Sequence, residues 1–182
     1  YWGHTDVVLS ASGIRQAERL RDRLTAEKLD IIYSSDLKRA SVTAETIASR
    51  HQLEVMTCAE LREINFGQLE GLTFEEISQL YPNIAKLWVE RSPELKYPNG
   101  ESLDEFSNRV SKFLGRLEKH SVEETILVVA HSGVLRTLMC QLLGMELRYR
   151  WQLHLDLASL CIVETYQEEA ILSLLNDVSY LD

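Results

Sequence analysis

The sequence predicts an α/β domain, on three observations. Short apolar, β-branched runs at 30–33, 53–57 and 126–130 alternate with stretches whose apolar residues recur every three or four positions, which is the signature of strands alternating with helices. Residues 126–130 are apolar at every position, as expected of a strand buried on both faces of a parallel sheet. The 182 residues suffice for one domain core, and no linker, repeat or low-complexity tract divides them.

Taken in order, Ile14, Ala17, Leu20 and Leu24 predict a helix over 12–27, with Ser10 or Ser12 as cap. A strand at 30–33 leads through Ser34, Ser35 and Asp36, whose oxygens are candidate caps, into a helix marked by Leu37, Ala40, Ala44, Ile47 and Ala48. After a second strand at 53–57, residues 58–100 mix aromatics with charges and hold all three prolines, an excursion with short helices of its own. Thr73 with Glu76 and Ser102 with Glu105 have capping-box spacing, and Leu103, Phe106, Val110, Phe113, Leu114 and Leu117 give 102–119 an apolar stripe. The strand at 126–130 and a helix at 134–143 follow, and 160–165 with 171–175 read as a closing hairpin.

A net charge of −9 opposes nonspecific binding to nucleic acid or to anionic membranes, so an anionic ligand needs a local basic pocket. No apolar run approaches the roughly 20 residues of a membrane helix. Cys58, Cys140 and Cys161 are odd in number and form no Cys-x-x-Cys pair, which speaks for a reducing cytoplasm and against a zinc site.

His131 ends the strand at 126–130, and Ser132 and Gly133 open the helix after it. In open α/β sheets this edge faces ligand, and amide donors at a helix start suit an anion such as phosphate. A histidine that only ends a strand is the commoner case. Arg39 occupies the equivalent place after the strand at 30–33; it can hold a phosphate with two planar donors, or simply pair with Asp36. Glu63, between apolar neighbours, gains a raised pKa and a proton-donor role if buried; with Glu60 and Glu70 nearby, a solvated carboxylate is the commoner case.

Together these stretches resemble the histidine phosphatases, which include the cofactor-dependent phosphoglycerate mutases and the α-ribazole phosphatases. The likeness runs through Gly3, Asp6 and Leu9, Ser34-Ser35-Asp36-Leu37-x-Arg39-Ala40, Thr43-Ala44, Leu61-x-Glu63, Phe66-Gly67-x-x-Glu70-Gly71, Gly100-Glu101-Ser102 and Ala130-His131-Ser132-Gly133. It implies a single domain over 1–182, a three-layer α/β/α fold with a mixed, mostly parallel sheet, and a helical lid at about 64–100. Arg39 is then a phosphate-binding arginine, Glu63 the general acid and His131 the second histidine, with Trp2, Gly3, Ser132 and Gly133 lining the substrate site. No metal or cofactor is implied, and the expected partner is a small phosphorylated metabolite; a homodimer is one option among oligomeric states.

The family's nucleophilic histidine lies in an Arg-His-Gly motif ending its first strand, and this sequence has no such motif. His4 does not replace it, and His51, His120 and His154 read as surface or supporting residues. A strand carrying the motif is expected upstream of Tyr1, and these 182 residues alone are expected to fold poorly and to lack activity. Ser-Gly after His131 and a short span from Glu63 resemble the phosphatases more than the mutases, with the α-ribazole branch nearest in pattern. Mutase-type transfer and a non-catalytic phospho-ligand-binding protein are the alternatives. Trp2 stands where relatives often carry a polar residue.

Overall fold

In the computed structural model, which describes residues 1–167 and 169–181, Ser10 caps helix α1 (Ala11–Leu24) by accepting the N–H of Gly13. Strand β1 (Ile31–Ser35) then runs through the middle of a parallel sheet, between β2 (Val55–Cys58) and β3 (Ile126–Val129). The register sets Ile32 beside Val55 and Leu127, and Ser34 beside Thr57 and Val129. All three strands therefore finish at one edge.

Alternation along β1 sends its side chains into two separate cores. Ile32 packs with Ala44 and Ala48 of α2 (Lys38–Ala48), next to a cluster joining Leu20 and Leu24 of α1 to Ile47. On the other face Tyr33 meets Phe106, Val110 and Phe113 of α5 (Leu103–Leu117), and Val134 and Leu138 of α6 (Ser132–Leu142). The sheet thus lies between two helical layers. Fully burying each such side chain contributes about 1.5–3 kcal/mol.

The closing hairpin forms as expected: β4 (Leu160–Thr165) pairs antiparallel with β5 (Ala170–Asp177), in a ladder separate from the parallel sheet. Two expectations are corrected. Strand β3 is only partly buried at every position, because it is the sheet's edge; a cleft of 1390 Å³ lies along it, walled also by Ala17 and Leu20, by Leu135 and Met139, and by Leu160 and Val163 of β4. The oxygens of Ser34, Ser35 and Asp36 do not cap α2, whose N-cap is Leu37 without a side-chain bond, since Ser35 and Asp36 have partners elsewhere.

Between β2 and α5 the chain makes two 3-10 turns (Ala59–Leu61 and Gly67–Leu69) and two short helices, α3 (Phe74–Leu80) and α4 (Pro82–Val89). Both capping boxes form as their spacing predicts, at Thr73 with Glu76 and Ser102 with Glu105. Phe66 and Trp88 stack at 5.6 Å, with Tyr97 edge-on to both. Gly67, at φ +54°, lets this segment close on itself, because a Cβ there would strike Pro98 O and the N–H of Gly100.

Candidate active site

The edge where β1 and β3 end gathers the sequence-predicted residues. β3 delivers His131 as the N-cap of α6, and β1 delivers Ser35, whose Oγ lies 2.9 Å from His131 Nε2. Ser35 Oγ also accepts the N–H of Leu37. With the Ser35 hydroxyl as donor, the imidazole accepts at Nε2 and carries its hydrogen on Nδ1; in the other tautomer Nε2–H donates to Ser35 Oγ. Burial, then the charges of Arg39 and Arg109, lower the His131 pKa to about 3. It is a neutral ring at physiological pH.

Glu63 is 9% exposed. Its Oε1 accepts the N–H of Ile64 at 2.9 Å and its Oε2 that of Gly133 at 3.0 Å. Burial pushes its pKa up, and this outweighs the two amide donors, Arg39 and Arg109, which all favour the charged form. Gly133 must be small, since a Cβ would collide with Glu63 Oε1. The start of α6 was expected to offer several free amides to one volume; the Gly133 N–H is given to Glu63 instead. Arg39, Glu63, His131, Ser132 and Trp2 border one continuous cavity.

Arg39 does not pair with Asp36. Asp36 is held by Arg62, in a bidentate pair at 2.7 and 2.6 Å, while Arg39 reaches back to the carbonyls of Gly3 (2.7 Å) and Thr5 (2.9 Å). Its neighbour Lys38 is exposed and Arg39 is half-buried, a distinction that helical periodicity did not provide. Burial lowers the Arg39 pKa. Gly3 lies in a loop gripped from its other side by Glu70, whose two oxygens accept the N–H groups of Gly3, His4, Thr5 and Phe66. Burial raises the Glu70 pKa, but the hydroxyl of Thr5 and the amides outweigh it and hold it low. Of the neighbouring acids, Glu70 is thus bound by backbone, and Glu60 pairs with Arg116 at 2.7 Å. Trp2 is 52% exposed and lies against Gly71.

Sequence reasoning passed over Arg109. From α5 it makes a double bond-pair with Glu101, at 2.7 Å to each oxygen, and donates to the carbonyls of Glu60, Arg62 and Glu63. It fixes the main chain leading into Glu63. The available signal was Glu101 within Gly-Glu-Ser and Arg109 two turns along the following helix. Of the other histidines, His120 is bonded to Tyr33 and Glu124, and neither His4, His51 nor His154 borders the cavity.

An α/β sheet with a neutral histidine, a buried carboxyl and an arginine at its strand ends defines a class of phosphoryl-group enzymes. The model of the histidine phosphatase superfamily (branch 1) matches residues 1–178, and the chain belongs to that superfamily and is a phosphatase. It is 36% identical over 181 residues to phosphoserine phosphatase 1 of Hydrogenobacter thermophilus, covering all of this chain and 86% of that protein. It is 34% identical to the adenosylcobalamin/α-ribazole phosphatase of Escherichia coli, over 97% of this chain and 87% of that protein. Among solved structures, the α-ribazole phosphatase of Shigella flexneri superposes with a TM-score of 0.90 at 33% identity, over 97% of this chain and 88% of the other.

Proposed function

We propose that this phosphatase hydrolyses small phosphomonoesters through a phosphohistidine, with Arg39 binding the phosphoryl group, Glu63 protonating the leaving oxygen and the Nδ1–H of His131 supporting the transferring oxygens. Trp2, Gly3, Ser132 and Gly133 border the substrate. The observation that carries this is the pairing of a carboxyl of raised pKa with a neutral imidazole on one cavity: one gives up a proton and the other donates a hydrogen bond without titrating.

In the first step a histidine nitrogen bonds to phosphorus while the P–O ester bond breaks, and the departing oxygen takes the Glu63 proton. Water then attacks phosphorus, the P–N bond breaks and Glu63 recovers a proton, so one hard displacement becomes two easier ones. The proposed attacking imidazole is that of the Arg-His-Gly motif which the family resemblance implies; the cleft between β3 and β4, bordered by His131 and Arg39 and by the outer edge of β3, unpaired among the described residues, has room for an extended segment carrying it.

α-Ribazole phosphate, or a wider set of small phosphate esters, is the proposed substrate, in keeping with the relatives above; nucleic acids and membranes are not, and the proposed compartment is the cytoplasm. Among the described residues no helix is long and apolar enough to cross a membrane. The residues 64–100, with α3 and α4, are the proposed lid, and 1–182 belong to one proposed domain. The test is brief exposure to substrate in excess chelator followed by mapping of acid-labile phosphate. A labelled histidine, with turnover unchanged by chelator, is expected. Loss of turnover on chelation, or a label on no histidine, would overturn the mechanism.

A further inference from the structure

Arg39 and Glu70 hold the loop 2–5 from opposite sides, and two of its peptide units lie between them. In the unit joining Gly3 to His4, the carbonyl accepts from Arg39 Nη2 at 2.7 Å and the N–H donates to Glu70 Oε1 at 2.9 Å. In the unit joining Trp2 to Gly3, the carbonyl accepts from the same Nη2 at 3.5 Å and the N–H donates to Glu70 Oε2 at 2.9 Å. Each peptide dipole thus has its oxygen on a cation and its hydrogen on an anion. Bonds arranged in series this way polarise one another, and bonds to an ionised group are stronger than neutral ones. Arg39 Nη1 takes the carbonyl of Thr5, whose N–H returns to Glu70 Oε2 at 3.2 Å.

What the loop does for Arg39 follows from its donors. A guanidinium carries its N–H groups in one plane; the carbonyls of Gly3 and Thr5 engage both terminal nitrogens and so fix the tilt of that plane. The donors left over are those a phosphoryl group needs, and Arg39 borders the cavity together with Glu63 and His131. Burial disfavours the Arg39 charge, and the carboxylates of Glu63 and Glu70 favour it. The loop is neither helix nor strand, so no regular ladder holds its carbonyls at the angle Arg39 meets. Glu70 supplies that hold.

Glu70 in turn belongs to the 64–100 segment. It closes the 3-10 turn Gly67–Leu69 ahead of α3, and its Oε1 also accepts the N–H of Phe66 at 3.1 Å. The next residue, Gly71, donates to the carbonyl of Tyr1 at 2.7 Å, and the Tyr1 ring packs on Trp88 and Phe66 at 4.7 and 5.7 Å. A Cβ on Gly3 would strike Ile64 O and Glu70 Oε1. The loop is therefore pressed between Arg39 and the start of this segment, and a shift of one displaces the other.

We propose that Glu70 is a positioning residue for Arg39: through the two peptide units it sets the guanidinium for the phosphoryl group, and it makes that setting depend on the first turn of the 64–100 segment. This rests on the reading of Arg39 as the phosphate-binding group. Glu70→Gln keeps the size of the side chain but turns an N–H₂ toward backbone donors, so about half of the grip is lost. Glu70→Asp keeps both oxygens and the charge.

The test is a double-mutant cycle in the full-length protein, read as affinity for inorganic phosphate by calorimetry. Glu70→Gln should weaken phosphate about tenfold and Arg39→Met at least as much. The double variant should be no more than about twofold weaker than Arg39→Met alone, because residues that act through one contact are not additive. Glu70→Asp should stay within about threefold of the wild type. Nitrogen NMR should show the Arg39 Nε–H signal shifted or broadened in Glu70→Gln. Should Glu70→Gln fail to fold, Glu70→Asp takes its place in the cycle, its smaller loss again vanishing without Arg39. Equal losses with and without Arg39, or full phosphate affinity in Glu70→Gln beside a loss in Arg39→Met, overturn the positioning role. Full affinity in Arg39→Met, with the Arg39 signal still responding to Glu70→Gln, would instead count against Arg39 as the phosphate binder and leave the hold of Glu70 on its guanidinium supported.

Discussion

The carboxylate of Glu63 accepts the backbone N–H of Gly133 at 3.0 Å, tying the segment after β2 to the first turn of α6. The bond aims the carboxyl group and is compatible with its being protonated, since burial holds its pKa above the ordinary carboxylate range. Glu63→Gln keeps the shape and removes the proton. Turnover of alkyl phosphates should fall about 10²-fold or more, while nitrophenyl phosphate, whose leaving oxygen scarcely needs a proton, falls far less. Parallel kcat measurements on both substrates check this; equal losses sink the assignment.

The same group gives a pH signature in stability. A carboxyl whose folded pKa is raised contributes stability that is present below its unfolded pKa and lost as pH rises through the folded one. Melting curves should therefore show Glu63→Gln gaining on the wild type as pH rises above about 4.5. A constant difference between the two proteins from pH 4 to 8 would speak against the raised pKa.

For His131 the sign reverses. Its folded pKa of about 3 lies below the unfolded value of 6.5, so its contribution is fully present above pH 6.5 and lost as pH falls toward 3. His131→Asn should narrow the loss of stability between pH 7 and pH 4. Replacement by Ala should lower kcat by roughly 10² with a smaller effect on KM; near-normal kcat would return His131 to a purely structural role.

Ser35→Ala removes the hydroxyl bonded to His131 Nε2, which as the donor would place the imidazole proton on Nδ1. A drop of about tenfold in kcat is expected, and nitrogen NMR should show the Nδ1–H form giving way to a tautomer mixture. An unchanged tautomer in the variant would exclude this positioning role.

Arg109→Leu leaves the part-buried Glu101 without its partner and frees three carbonyls at and before Glu63. Breaking such a pair costs about 3–5 kcal/mol, to be read by chemical denaturation, and activity should fall with it. A loss below about 1 kcal/mol would place the pair among weak surface bridges.

Much of this protein was determined by its sequence alone. The alternation of apolar runs with helical stripes set the α/β class and most element positions, because strand and helix periodicities are local properties. Both capping boxes were legible for the same reason, as each closes within four residues. The ordered motifs singled out Arg39, Glu63 and His131, three side chains that border one cavity. What only the tertiary structure decided depends on partners far apart in the chain. Asp36 is three residues from Arg39, yet it is bound by Arg62, 26 positions on, and Arg39 is turned toward the 2–5 loop. Glu70 grips that loop across more than 60 residues, and Arg109 does the same for the backbone at Glu63. Apolar content could not separate a central strand from an edge strand, so β3 read as fully buried when its outer side borders the cleft. Burial and ion pairing are set by how distant segments pack, which local pattern does not encode.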